Sequence, residues 1–252
     1  MNKNTGKVRW LFQAILVLSL VFSLILAGCT SSKYKTKPDY NVTEQVTLSF
    51  MDAYMQGDLA KAMEHVAEEC VISTDSGQMK GKAAISEMLK INIEKENKME
   101  IAEKRKVDNS KISLTIINRI PLFQLAGVDM VKTLEKFEVQ DGKIVEWEIK
   151  HLKESVDLIE KVSSGTTGLE AEVKDGKIVV TKVLPQSPAA FEDIRVGDII
   201  LEINGTKFED MKYGAEEIPY RLIGEPGSVA QFKIDNGTEI FDVKLKRIKV
   251  NN

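Results

Sequence analysis

The first regular pattern after residue 40 is helical. Apolar residues recur there at i, i+4, i+7 and i+8, which is the spacing of one helix face. These residues are Val46, Phe50, Ala53 and Tyr54. Gly57 is predicted to end this helix, and Asp58 is a suitable N-cap for a second helix that reaches Val66. A third helix is predicted over residues 84–91, where apolar residues again share one face.

The pattern then changes to extended segments with turns between them. The predicted strands are residues 98–107, 112–120, 129–139 and 144–150. The last two are joined by Gln-Asp-Gly-Lys at residues 140–143, which is a strong hairpin signal. Helices followed by an antiparallel meander predict an α+β domain over residues 41–151.

A second domain is predicted after the break Ser-Ser-Gly-Thr-Thr-Gly at residues 163–168. Residues 152–164 form a connector with helical spacing, and residues 165–249 form the domain itself. Its predicted extended segments are residues 168–173, 178–183, 199–203, 230–234 and 240–245.

Residues 1–28 have the pattern of a targeting segment, in which three basic residues precede an apolar run over residues 10–26. The run ends in Leu-Ala-Gly before Cys29, and this ending resembles the lipobox of bacterial lipoproteins. The resemblance implies a signal peptide cleaved before Cys29, a lipid anchor (diacylglycerol and palmitate) on that cysteine, and a location on the extracytoplasmic face of the cell membrane. Residues 29–40 would then be a polar tether. The alternative is an uncleaved anchor helix.

Composition removes several classes of function. With 43% hydrophobic and 29% charged residues in 252, the chain is neither disordered nor a polytopic membrane protein. The 35 basic residues do not exceed the 38 acidic ones, so we expect no nucleic-acid partner. Two His and two Cys are too few for a Cys/His zinc site, and we expect no metal or cofactor. Cys70 is interpreted as a small buried hydrophobe, with a redox role as the alternative.

Two short motifs stand at the starts of the second and third predicted helices. They read Met-Gln-Gly-Asp-Leu at residues 55–59 and Gly-Lys-Ala-Ala-Ile at residues 81–85. Together with the order of elements, they resemble the nuclear transport factor 2-like (SnoaL-like) superfamily over residues 41–151. The resemblance implies a cone-shaped domain, in which a curved antiparallel sheet wraps around three helices and leaves a pocket. It also implies a homodimer through the open face of the sheet.

Ketosteroid isomerases and polyketide cyclases share that fold, so an enzyme of the isomerase or cyclase class is the alternative function. Isomerisation requires a carboxylate base and a buried hydrogen-bond donor for the enolate. By the resemblance, the donor tyrosine aligns with Phe50, and the base aligns near Thr74, one residue before Asp75. Asp52 and Tyr54 are helix residues that could reach a pocket, or they are one exposed and one core residue. Because the isomerase residues are not matched, we expect no catalysis here.

Residues 187–190 read Ser-Pro-Ala-Ala, and residues 195–205 read Arg-Val-Gly-Asp-Ile-Ile-Leu-Glu-Ile-Asn-Gly. These runs resemble the PDZ domains of bacterial envelope proteases. Ser-Pro-Ala opens the first helix, Gly-Asp leads into a buried strand, and Asn-Gly closes a tight turn. The resemblance implies a partly open β-barrel with two helices over residues 165–249. It also implies that an extended peptide or C-terminus of another envelope protein adds a strand to the sheet edge.

The peptide-binding residues that this resemblance implies lie on a loop, an edge strand and a helix. They are Gly168, Leu169, Glu170, Ala171, Val173, Ile218 and Leu222. Glu170 stands where the family pattern often has glycine, which weakens the expectation of carboxylate capture by backbone N–H groups. Val173 and Leu222 are explained equally well as core residues. Pro219 leaves the start of the helix open.

PDZ domains often accompany proteases, but the sequence offers neither a Ser-Lys domain nor a Gly-Asn-Ser-Gly-Gly nucleophile loop. His65 and His151 are the two histidines, and no nearby serine stands in a nucleophile turn. We therefore expect a non-enzymatic, lipid-anchored binding or scaffold protein that captures a peptide, as an adaptor for a separate protease. A third interpretation is a structural spacer, in which a side chain of the connector fills the groove.

Overall fold

A computed structural model of the chain describes residues 37–249. They divide into two compact units, the first formed by residues 37–120 with Met130–Ser155 and the second by Pro121–Asp129 with residues 156–249. The predicted signal peptide, the predicted lipidation site Cys29 and most of the tether lie outside the described residues. Within the described residues, no helix is both long and apolar enough to cross a membrane.

The first unit begins with helices α1 (Tyr40–Met55), α2 (Leu59–Glu64) and, further along, α3 (Lys82–Glu94). Asp39 and Asp58 cap α1 and α2, because each side chain accepts a hydrogen bond from a backbone N–H of the first turn. Gly57 has φ of +77°, a conformation that glycine adopts at little cost, so the chain can turn sharply between α1 and α2. The predicted helices are present, but Val66 begins the next strand instead of ending α2.

Strands complete the first unit. They are β1 (Val66–Thr74), β2 (Gly77–Lys80), β3 (Lys98–Lys106), β4 (Lys111–Arg119), β5 (Val131–Gln140) and β6 (Lys143–His151). They form one sheet in the order β2-β1-β6-β5-β4-β3. The strands β3 to β6 form the predicted antiparallel meander, and β1 pairs with β6 in parallel. The predicted α+β class is confirmed.

The core of the first unit lies between the helices and one face of this sheet. β5 alternates strictly between buried and half-buried residues. Phe50 of α1 packs against Phe137 of β5 and Trp147 of β6, with ring centroids 6.0 and 5.4 Å away. Cys70 is buried, as predicted, and its burial raises the pKa of the thiol to about 12. The thiol therefore stays protonated and unreactive near neutral pH.

The second unit contains short helices and a second sheet. Its elements are α4 (Pro121–Leu125), α5 (Lys153–Ser163, from residue 156 onward), β7 (Gly165–Thr166), β8 (Leu169–Lys174), β9 (Lys177–Val183), α6 (Pro188–Phe191), β10 (Ile199–Ile203), β11 (Thr206–Lys207), α7 (Glu217–Leu222), β12 (Val229–Asp235), β13 (Ile240–Lys246) and β14 (Ile248–Lys249). The sheet runs in the order β13-β12-β10-β9-β8, with β11 paired to β10. Strands β7 and β14 form a separate pair.

The sheet of the second unit is open rather than a closed barrel, because β8 and β13 end its strand order and do not pair with each other among the described residues. Its core is formed by apolar residues of β9, β10, β12 and β13 together with those of α7. One segment differs from the predicted domain organisation. Residues 121–129 fall within the predicted first domain, but they group with the second unit, where Phe123 of α4 packs against Tyr220 of α7.

Candidate functional site

β8 is one of the two edge strands of the sheet in the second unit, and β13 is the other. β8 pairs with β9 through the register Leu169↔Val183 to Lys174↔Lys177 and ends the strand order of the sheet. In an antiparallel pair, alternate residues direct their N–H and C=O groups away from the partner strand. An edge strand of this kind can pair with another extended chain. β8 therefore has the backbone groups that strand addition requires.

Helix α7 lies beside β8. The two elements are the walls of the peptide-binding groove that the PDZ resemblance implies. Its Cα atoms approach those of β8 to within 8 Å. Ile218 and Leu222, four residues apart, bring two apolar side chains to the same face of the helix. Pro219 lies in the first turn of α7, where its missing N–H would have no helical partner. Pro219 therefore fits within α7, and the start of this helix, which the sequence did not define, lies at Glu217.

The predicted groove residues differ in burial. Leu169, Ile218 and Leu222 are 4%, 2% and 5% exposed and belong to the core of the second unit. Ala171 and Val173 of β8 are only partly buried, although they pack against the same core. An incoming strand would therefore contact Ala171 and Val173 most directly. The assignment of all these residues to peptide binding stays a prediction.

The loop before β8 is held by α6. Gly168 has φ of +90°, and a Cβ atom at this position would lie 2.0 Å from the Oγ atom of Ser187. Ser187 in turn caps α6 by accepting the N–H of Ala190. The N–H of Ala189 donates to the carbonyl of Thr167 at 3.1 Å. A Cβ atom at residue 168 would collide with Ser187, so glycine is the residue that fits this position.

Glu170 is the residue that departs from the family pattern, and it is paired. Its Oε1 atom lies 2.5 Å from the Nζ atom of Lys182, its cross-strand neighbour on β9. Because adjacent residues of a strand point to opposite faces, Glu170 lies on the face opposite to the buried Leu169. Its negative charge is compensated by Lys182 and is directed away from the core.

The connector helix α5 makes contacts away from β8. Lys161 forms an ion pair with Glu225, in the loop after α7, with 2.6 Å between Nζ and Oε1. Ile159 and Val162 are buried. Beyond α5, Thr166 forms an isolated bridge with Ile223 at the end of α7. These contacts hold the end of α7. They do not favour the interpretation in which a connector side chain fills the groove.

The first unit contains a second candidate site around Glu135 of β5. This side chain is 4% exposed, and its Oε1 and Oε2 atoms accept hydrogen bonds from the hydroxyl of Thr133 at 2.8 Å and the indole N–H of Trp147 at 2.9 Å. Burial raises the pKa of Glu135 to about 7, although both hydrogen bonds act to lower it. The carboxyl group therefore changes charge near neutral pH.

Tyr54 of α1 is another titratable group of this interior. Its hydroxyl oxygen accepts a hydrogen bond from Nδ2 of Asn92 at 3.0 Å. Burial raises the pKa of Tyr54, the Asn92 hydrogen bond lowers it, and the charge of Glu135 raises it further. Aromatic rings fill the surroundings, since Phe137 and Trp147 stack with centroids 5.2 Å apart.

Of the residues that the isomerase resemblance selected, Phe50 and Tyr54 lie in the same core as Trp147, which donates to Glu135, whereas Asp52 and Asp75 are exposed. Phe50 is a fully buried core residue, and Asp52 is exposed and accepts a hydrogen bond from Gln56 at 2.8 Å. Asp75 lies in the turn after β1, where its Oδ2 atom is 3.0 Å from both the backbone N and Nδ1 of His151. Asp52 and Tyr54 are thus one exposed and one core residue.

The sequence contained a signal for Glu135 that the search for motifs missed. Alternation along β5 places Glu135 on the same face as Val131, Phe137 and Val139. A carboxylate among inward-facing apolar residues predicts a buried acid with a raised pKa. As for metals, no cluster of three or more His, Cys, Asp or Glu residues suited to a metal ion occurs in the described part of the chain.

Solved structures with a similar arrangement include a nuclear transport factor 2-like protein of unknown function from Mesorhizobium loti. It is 22% identical, and the alignment covers 47% of this chain and 97% of that one with a TM-score of 0.40. A putative ketosteroid isomerase from Kribbella flavida is 14% identical over 46% of this chain and 82% of that one, with a TM-score of 0.39. These values are too low to transfer a function.

Two curated relatives carry the name probable CtpA-like serine protease. The protein from Staphylococcus saprophyticus is 29% identical over 101 residues, which are 39% of this chain and 20% of the relative. The protein from Staphylococcus aureus strain RF122 is 31% identical over 94 residues, which are 36% of this chain and 18% of the relative. The chain thus spans about a fifth of the length of these relatives.

A model of the PDZ domain family matches residues 156–218. The match begins in α5, passes through the edge strand β8 and ends within α7. It therefore includes the whole of β8 and only the first two residues of α7. Residues 156–218 of this chain are a PDZ domain.

Proposed function

We propose that this chain is a non-enzymatic peptide-binding protein of the cell envelope. An extended segment or C-terminus of another envelope protein adds to β8 as a further strand, and its alternate side chains lie between β8 and α7. The observation that carries this proposal is a PDZ domain whose edge strand lacks a pairing partner on one side among the described residues.

The chemistry of the groove favours an apolar, extended ligand. The partly buried residues that face it are Ala171 and Val173, and both are apolar. Two of the ionic groups of its walls are paired, Glu170 with Lys182 and Glu217 with Arg221. Backbone hydrogen bonds would then supply affinity, and shallow apolar contacts at alternate positions would supply specificity.

A role beside a separate protease is part of the proposal. It rests on the names of the staphylococcal relatives, which are probable CtpA-like serine proteases. In this role the PDZ domain would hold a substrate that another chain cleaves. The predicted lipid on Cys29 would place the protein on the extracytoplasmic face of the membrane, near such a protease.

The test uses the full-length chain in mild detergent and a random peptide library displayed with free C-termini. We expect selected peptides to have apolar residues at alternate positions, and we expect Val173→Asp to weaken their binding about tenfold or more, since it puts a charge in the groove. Ile240→Asp is the matched control, because Ile240 is 58% exposed on the opposite edge strand β13. Equal binding by both variants would reject the hypothesis that peptides bind between β8 and α7.

An enzyme in the first unit is the second candidate function, and Glu135 is the observation that favours it. A general base works best when its pKa lies near the operating pH, and burial raises the pKa of Glu135 to about 7. Conversion of a β,γ-unsaturated ketone to its conjugated isomer, followed by absorbance, is the test. Turnover that Glu135→Gln abolishes would support an enzyme. Absence of turnover with the wild-type chain would remove the isomerase class.

A homodimer through the open face of the first sheet also stays a proposal. Polar side chains of β5 on this face form cross-strand ion pairs, Lys136 with Glu148 at 3.2 Å and Glu138 with Lys111 at 3.0 Å. Such a face would form a polar and salt-sensitive interface. Sedimentation velocity at low and high salt tests it, and a monomer under both conditions would reject it.

A further inference from the structure

Helix α7 forms one wall of the groove, but it is too short to hold its own position. It has six residues, Glu217–Leu222, and one of them is Pro219. Isolated helices of this length are not stable in water, so tertiary contacts must determine where α7 lies. The contacts around α7 are therefore contacts that shape the groove.

Two opposite faces of α7 are covered. Ile218 and Leu222 share one face and join the core of the second unit. Tyr220 lies about 200° around the helix from Ile218, at 100° per residue, and so points to the other side. There it meets Phe123 of α4, with ring centroids 5.9 Å apart and planes inclined by 36°. Tyr220 is only 7% exposed as a result.

The segment that supplies Phe123 is well defined. α4 ends in a Schellman motif, in which the N–H of Val128 donates to the carbonyl of Phe123 and the N–H of Gly127 donates to the carbonyl of Gln124, each at 3.0 Å. Gly127 has φ of +94°, as this motif requires. Leu122 and Val128 are 9% and 2% exposed. The segment is thus an ordered support that holds Phe123 against α7.

The two ends of α7 are held by polar contacts. Near its start, the Oε1 atom of Glu217 accepts the backbone N–H of Tyr213 at 2.9 Å. At its end, the buried guanidinium of Arg247 donates to the carbonyls of Arg221 and Leu222 at 2.9 and 3.3 Å. These contacts hold the two ends of α7 in place. The ring pair adds a contact on the face of α7 that lies away from Ile218.

We propose that Phe123 is a positioning residue for peptide binding, and that residues 121–129 complete the groove although they lie outside the PDZ match at residues 156–218. The inference deepens the proposed function and rests on it. A fixed wall needs no ordering when a peptide arrives, so it increases affinity without a contact to the peptide. Loss of the Phe123 ring would leave α7 free to move away from β8.

The test compares two truncations of phenylalanine in the full-length chain. Phe123→Ala removes the ring that packs against Tyr220, and Phe191→Ala removes a ring that is 77% exposed in the same unit. Binding of a fluorescently labelled peptide from the displayed library is measured by anisotropy. We expect Phe123→Ala to weaken binding roughly fivefold to tenfold. Phe191→Ala should leave it unchanged, and Phe123→Tyr should restore it.

Hydrogen exchange separates this inference from the proposed function. Amides of residues 217–222 should exchange faster in Phe123→Ala than in Phe191→Ala, whether or not a peptide is present. If the wild-type chain binds no peptide, the proposed function fails, and exchange alone then decides whether Phe123 holds α7. If the wild-type chain binds and both truncated variants bind and exchange alike, the positioning role of Phe123 is rejected.

Discussion

Glu135 in the first unit and Glu217 in the second are 4% and 2% exposed, but their partners differ. Glu217 accepts a hydrogen bond from Nε of Arg221 at 2.9 Å, and the same Oε2 atom forms an ion pair with Nη2 at 2.7 Å. Glu135 accepts hydrogen bonds from two neutral donors, Thr133 and Trp147. One buried charge is paired with a cation, and the other is not.

The difference shows how each unit uses a buried carboxyl group. The pair of Glu217 and Arg221 joins successive turns of α7, and Nη1 of Arg221 also reaches Oγ1 of Thr206 at 3.2 Å. The carboxyl of Glu135 can instead take up a proton at little cost, because burial raises its pKa to about 7. The first unit therefore contains a proton-responsive carboxyl group, and the second contains a carboxylate that is paired with a cation within α7.

Removal of Arg221 should leave Glu217 buried without a cation, as Glu135 is. Of the changes considered, this one should cause the largest loss of stability. Arg221→Ala leaves a buried carboxylate without its partner, and such losses cost about 3–5 kcal/mol in the free energy of unfolding. Hydrogen exchange of β10 and β12 measures the stability of the second unit, and exchange of β4 and β5 measures that of the first. Arg119→Ala is the control, since its pair with Glu100 is exposed on the first unit and should cost at most about 1 kcal/mol. Equal losses would contradict the comparison.

The free energy of unfolding of the first unit should depend on pH through Glu135. Between pH 4.5, the ordinary pKa, and about 7, the folded state binds the proton more tightly than the unfolded chain. Stability therefore falls as pH rises through this window, by about 3 kcal/mol, and the loss is complete above the folded pKa. Urea unfolding followed by the fluorescence of Trp147, which contacts Glu135, measures it.

Glu135→Gln is the control for this pH dependence, because an amide mimics the protonated acid and cannot ionise. The variant should be more stable than the wild-type chain at pH 8 and similar to it at pH 5. A variant that keeps the full pH slope of the wild-type chain would assign that slope to other groups.

The smallest expected effect comes from one donor to Glu135. Thr133→Val keeps the shape of the side chain but removes the hydroxyl that donates to Oε1. The pKa of Glu135 should rise further, and the first unit should lose about 1–2 kcal/mol at pH 8, where the carboxylate is charged. The loss at pH 5 should be smaller. An equal loss at both pH values would mean that the hydroxyl matters to packing alone.

Much of the fold follows from local sequence patterns. The alternation of β5, the Asp58 cap and the Ser-Pro-Ala start of α6 each determine structure within a few residues, and all three are found where the sequence places them. The pair of Glu217 and Arg221 has the i, i+4 spacing that favours a helix. Such features could be predicted because their physical causes are short-range.

The tertiary relationships could not be predicted in the same way. Nothing local to residues 121–129 indicates that Phe123 packs against Tyr220, almost a hundred positions further along the chain. The apolar residues of β8 also fit a core and a groove equally well by pattern. Only packing separates the buried Leu169 from the partly buried Val173.

The most direct test of peptide capture is hydrogen exchange of the full-length chain with and without a library-selected peptide. Strand addition should slow exchange of the outward-facing amides of β8, residues 169–174, because they gain hydrogen-bond partners. The edge strands β3 and β13 should be unaffected. Protection at either of those edges, with β8 unchanged, would contradict the account.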